Sequence, residues 1–92
     1  MNQARAEEIA VSALGWLAAR PESFGALLDA GGMSVGDVRA RAADAEFLGF
    51  LLDFLLGDEA LLMEFVRDGR LDPEDPMCAR AALPGGEVWH WT

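Results

Sequence analysis

The chain is 92 residues long and 52% hydrophobic, with sixteen acidic against seven basic residues and a formal net charge of −9. That length allows one small core and hence one domain, and that apolar content excludes intrinsic disorder. The charge opposes sequence-independent attraction to phosphate backbones and anionic lipid, and no apolar run reaches the ~18–20 residues of a membrane helix, so nucleic acid and membrane are both disfavoured as partners.

The opening segment, Met1 to Glu8, lacks the basic and apolar zones of a secretory signal, which makes the cytoplasm the expected location. The pattern then predicts a first helix over Gln3–Ala19, with Glu7 and Glu8 near the positive end of its dipole and Ile9, Ala13, Trp16 and Leu17 on one side. Pro21 disfavours helix at Arg20 but suits a first turn. A second helix is therefore expected from Pro21 or Glu22, turning Phe24, Leu27 and Leu28 inward and ending at Gly31-Gly32. Ser34 and Asp37 have the spacing of a near capping box, which predicts a third helix over Val35–Ala43 with Val38 facing in.

A fourth helix is expected over Ala45–Leu56. Its apolar residues cover most of the wheel and leave Glu46, Gly49 and Asp53 as a polar strip, so it should be the central helix. Asp58 and Glu59 open a fifth, with Leu61, Leu62, Phe65 and Val66 inward and Gly69 closing it. Asp72 is the next cap candidate, but Pro76 lacks the donor for an early intrahelical bond. The sixth helix then starts either at Pro73, capped by Asp72, or at Pro76, capped by Asp75, and reaches about Leu83. Pro84-Gly85-Gly86 stops it and releases a tail, Glu87 to Thr92, carrying Trp89 and Trp91. Leaving a large apolar side chain in water rather than burying it costs ~1.5–3 kcal/mol, so the tail is expected to dock.

The second half reads as a worn copy of the first. Residues 7–44 lie over 45–82 at a shift of 38, pairing Trp16 with Phe54, Leu17 with Leu55, Phe24 with Leu62, Gly31 with Gly69, Ser34 with Asp72 and Asp37 with Asp75. Six of the 38 pairs are identities, but apolar positions, turn residues and caps recur in order. The fold expected is all-α: a compact bundle of about six short helices in two pseudo-repeated three-helix units.

Several segments resemble a family of short alphaproteobacterial proteins catalogued only as a domain of unknown function. They are Phe54-Leu55-Leu56, Asp58-Glu59-Ala60-Leu61-Leu62, Leu71-Asp72-Pro73-Glu74-Asp75, Ala81-Ala82-Leu83-Pro84-Gly85-Gly86 and His90-Trp91-Thr92. The resemblance implies a bacterial, intracellular helical protein and carries no activity with it.

Constellations for chemistry are sparse. Leu27 to Val38 has the spacing of a helix-turn-helix, yet the third helix would bring Asp37 to the phosphates with only Arg39 and Arg41 to offset it. Asp72, Glu74 and Asp75 lack the spaced oxygens, glycine and terminal Glu of a calcium loop, and capping accounts for them. His90 is the only histidine and Cys78 the only cysteine, which removes triads, disulfides and cysteine-based zinc sites from the chain itself. Asp53, on the polar strip, reads as a solvated residue or the partner of an arginine. There is no glycine-rich phosphate loop or serine-centred motif. No cofactor or metal is expected, and an enzyme is not expected.

The fourth helix carries Phe50 where the first has Ser12, and Leu56 where it has Ala18. That surplus predicts a partner for the apolar face: the Trp tail, or a second copy in a homodimer. Phe50, Leu56, Trp89, His90 and Trp91 are the candidate partner-binding residues. The sequence thus points to a small acidic protein-interaction or regulatory module, with a DNA-associated helix-turn-helix protein or a small-ligand carrier as alternatives.

Overall fold

The computed structural model describes residues 1–85. They form six helices, α1 (Gln3–Ala18), α2 (Pro21–Gly31), α3 (Val35–Arg41), α4 (Ala45–Leu56), α5 (Glu59–Gly69) and α6 (Asp75–Ala81), with no strand among the described residues. The radius of gyration is 12.5 Å, against about 12 Å for a compact chain of this length. The tail, with Trp89, His90 and Trp91, lies outside the described residues.

Local chemistry sets most helix ends. Asn2 caps α1 by accepting from the Arg5 N–H at 2.8 Å. Glu7 and Glu8 fall beyond the first turn, contrary to the dipole role expected of them, and instead accept from Gln3 and pair with Arg5. α3 ends two residues before the expected Ala43, because the Asp44 N–H turns back to the Arg41 carbonyl and the Asp44 carboxylate caps α4. α6 begins at Asp75, where Pro76 occupies the first turn and needs no donor.

The ends of α2 and α5 recur in detail. Arg20 and Asp58, the residues before them, share an extended backbone (φ/ψ −121/91 and −126/94). At the other end the Met33 N–H donates to Leu28 at 2.9 Å and the Leu71 N–H to Val66 at 3.0 Å, the long bond of a Schellman turn. That turn needs a left-handed residue, which is Gly32 in the first case and Arg70, at φ 54, in the second. Gly69, expected to close α5, stays helical; the strained position falls one residue later on a side chain with a Cβ.

α4 packs against α1, α2, α5 and α6, and is the central helix. It buries Phe47, Leu48, Leu51, Leu52 and Leu55, each contributing roughly 1.5–3 kcal/mol before the entropy of ordering is subtracted. α1 presents Ala6, Ala10 and Ala13, all fully buried, alongside Ile9 and Leu17. Such methyl side chains permit close helix approach. α6 contributes Pro76 and Ala79, followed by buried Leu83, so α1, α4 and α6 pack mutually at the centre. α3 buries only Val38 and touches the other helices slightly. Among the described residues no polar or charged residue is buried.

Candidate interaction surface

Two arginines tie the bundle together from its surface. Arg20 lies with its guanidinium carbon 3.7 Å from the centre of the Trp16 ring and donates to the Trp16 carbonyl at 3.0 Å. Both side chains converge on α5, where Asp68 Oδ2 accepts from Trp16 Nε1 at 2.9 Å and from Arg20 Nη2 at 3.0 Å. Trp16 also meets Phe65 edge-on at 5.5 Å. Stacking, an ion pair and a charge-assisted hydrogen bond thus join the α1–α2 corner to the end of α5.

Arg80 is the second tie. From α6 it reaches across α4, donating through Nε to Asp53 Oδ1 at 2.6 Å and through Nη1 to the Pro84 carbonyl at 3.1 Å. Gly49 makes room for it: a Cβ there would lie 2.7 Å from Nη1 and 3.4 Å from the Pro84 oxygen. The polar strip of α4 is therefore an arginine track, with Asp53 paired as its position suggested. It fixes the Pro84 backbone against α4.

Next to this track lies an open groove of about 320 Å³. Gly31 and Met33 at the end of α2 line it together with Phe47 and Phe50 of α4, and Arg41, Asp44 and Glu46 form the polar rim; the Met33 methyl and the Phe50 ring pack over Gly31, where a Cβ would lie 2.5 Å and 3.1 Å from them. The two phenylalanine rings stand 6.4 Å apart. A second open groove, about 940 Å³, runs between α1 and the α3–α4 link, with exposed Val11, Ala4 and Ser12 facing Ala42, Ala43 and Leu48. Arg5 and Glu8 pair at its edge, 3.4 Å apart.

The site residues predicted from sequence separate. Phe50 is half-buried and lines the smaller groove, whereas Leu56, also half-buried, lies six residues further along α4 and outside that groove. The surplus apolar face expected on α4 is largely covered by the chain's own helices. The large hydrophobic side chains most open to solvent sit elsewhere: Met1, Val11, Val35, Met63 and Met77. Trp89, His90 and Trp91 lie outside the described residues. Sequence reading named Asp53 but not Arg80, and Trp16 as core but not as the partner of Asp68.

The acidic groups with traceable partners are structural. Asp75 accepts from the Asp72 N–H at 2.9 Å, repeating the bond from the Ser34 N–H to Asp37 at 2.9 Å. The Ser34 backbone bond, then the Ser34 hydroxyl, holds the Asp37 carboxyl below its ordinary value, with Arg41 adding a smaller pull. Among the described residues no three His, Cys, Asp or Glu side chains gather where they could hold a metal ion, and no helix is long and apolar enough to cross a membrane. Cys78 is exposed and unpaired in any disulfide.

These features define an acidic, all-α six-helix bundle with apolar grooves along its surface. Residues 3–86 match the family described as Protein of unknown function (DUF3572), and the chain belongs to it. No curated protein and no solved structure matches the chain.

Proposed function

We propose that the protein is a non-enzymatic interaction module of the bacterial cytoplasm, binding a protein partner through the groove at Phe50. The groove carries the reading. Its volume, about 320 Å³, sits at the small end of the ~300–1,000 Å³ range of ligand pockets, and it is open along one side. That shape suits one apolar side chain of a partner better than an enclosed small molecule. The rim, with Asp44 and Glu46 beside Arg41, favours an anchor flanked by Lys or Arg, and the net charge of −9 reinforces that preference.

Other readings have less behind them. In the helix-turn-helix alternative, α3 is seven residues long and its first turn holds Asp37 locked to Ser34, which turns a carboxylate toward the position phosphate would take. The carboxylates with traceable partners are spent on caps and ion pairs, which leaves little to support acid–base chemistry.

Affinity capture from native extract is the test, comparing wild type with Phe50→Ala and Glu46→Lys, each first shown to melt cooperatively. Wild type should retain a protein whose binding weakens with salt and is lost in both variants. Identical retention by all three chains refutes the reading, and tight, salt-sensitive retention of duplex DNA would replace it with the helix-turn-helix alternative.

A further inference from the structure

Beyond Glu8, α1 carries no charged residue as far as its end at Ala18, although charged residues make up 25% of the chain. A helix face turned to water is ordinarily polar, yet Val11 stands 48% exposed on this one. Across the larger groove the α3–α4 link presents Ala42 and Ala43, and α4 presents Leu48. The gap exists because α3 buries Val38 alone and packs little against α1.

The dimensions select the occupant. Ala4, Glu8, Val11 and Ser12 share one face of α1 and line the groove over about 12 Å of helix axis. A second helix laid alongside presents apolar residues at i, i+4 and i+7 over about 10.5 Å, and the short side chains of Ala42 and Ala43 let it come close. An extended peptide would find no sheet edge to join among the described residues. A small molecule needs polar groups to orient it, and among the described residues no buried side-chain polar atom is left without a partner.

Charge narrows the choice further. The charged residues lining the groove are Arg5, Glu7 and Glu8, all on α1. Arg5 and Glu8 are both more than half exposed, so water screens their pair, and two carboxylates outnumber one guanidinium. Within a chain of net charge −9 that excess favours Lys or Arg beside the apolar ridge. A second copy of the chain would bring the same excess of acid.

We infer that the groove between α1 and the α3–α4 link docks an amphipathic helix of a partner protein, apolar at i, i+4 and i+7 and flanked by Lys or Arg. This adds a second contact surface to the proposed interaction module and does not depend on the groove at Phe50.

Displayed random peptides of roughly 16 residues, enough for four helical turns, provide the test. They are selected against the full chain, and the binders are titrated against wild type, Val11→Glu, Ala43→Glu and Phe50→Ala. Enriched peptides should become helical on binding, by circular dichroism, and carry Lys or Arg beside the apolar ridge. Each should lose about tenfold in affinity with Val11→Glu and with Ala43→Glu, and bind Phe50→Ala as it binds wild type. No enrichment, acidic or uncharged binders, or an affinity unchanged by a folded variant of either wall overturns the inference. Binders lost only with Phe50→Ala also overturn it while supporting the proposed function, and a wild-type dimer dissociated by Val11→Glu would make a second copy the occupant instead. Val11 and Ala43 are exposed and lie on separate elements, so either variant decides if the other fails to fold.

Discussion

α3 and α6 are the third helices of the two halves, both seven residues long, and both preceded by the same turn chemistry. A Schellman turn closes the helix before each, and an acid three residues on accepts from the backbone N–H of Ser34 or Asp72. Yet α6 lies at the centre against α1 and α4, and α3 lies at the margin. Caps therefore decide that a helix forms, and side chains decide where it goes. α6 offers Pro76, Ala79 and Leu83 to close packing, and Arg80 to α4. α3 has Val38 alone.

The sharpest way to break this contrast is to empty the two contacts. Leu83→Ala should cost about 2–5 kcal/mol, and Val38→Ala about 1–2 kcal/mol, read from chemical denaturation of each variant. Equal losses would mean that α3 is as much part of the core as α6. Filling rather than emptying is the next test. Ala79→Leu should overpack the α6 interface by about 1–3 kcal/mol, whereas Ala40→Leu on exposed α3 should stay within about 0.5 kcal/mol of wild type.

A smaller effect with the opposite sign is expected at the turn before α6. Arg70→Gly should stabilise the chain by about 0.5–1 kcal/mol, because it relieves a left-handed backbone that Gly32 already occupies without strain. A lower melting temperature for this variant would show that the Arg70 side chain contributes more than its backbone costs.

The last prediction concerns pH and is confined to α3. The Asp37 carboxyl, ordinarily at 3.8, is held lower in the folded chain. Its contribution is therefore complete above that ordinary value and disappears as pH falls through the lowered one. Thermal melts of wild type and Asp37→Asn should differ at neutral pH and converge in acid. A difference that persists at the lowest pH would assign the effect to the side chain's shape and not its charge.

Punctuation was legible because it is local. Pro21, Gly31-Gly32, Ser34 with Asp37, Asp58 and Pro76 act within three or four residues, and the helices fall where these residues allow. The run from Phe47 to Leu56 identified the central helix because hydrophobic excess needs no partner to be recognised. Pairings across the fold were not legible. Nothing near Trp16 in sequence points to Asp68, 52 residues away, and nothing near Asp53 selects Arg80, 27 residues away. Phe50 and Leu56 both looked surplus on a wheel; only packing showed that α4 is mostly covered and that Phe50 borders a groove. Gly49 read only as a member of the polar strip, when it is the space through which an arginine crosses.

The crossing of Arg80 over Gly49 has a practical corollary. Because the guanidinium fills the space above Gly49, a probe attached to that face of α4 would disturb the pairing with Asp53. The exposed thiol of Cys78 lies about 200° around α6 from Arg80. A dye or resin coupled there would leave that face open, and would make the better bait.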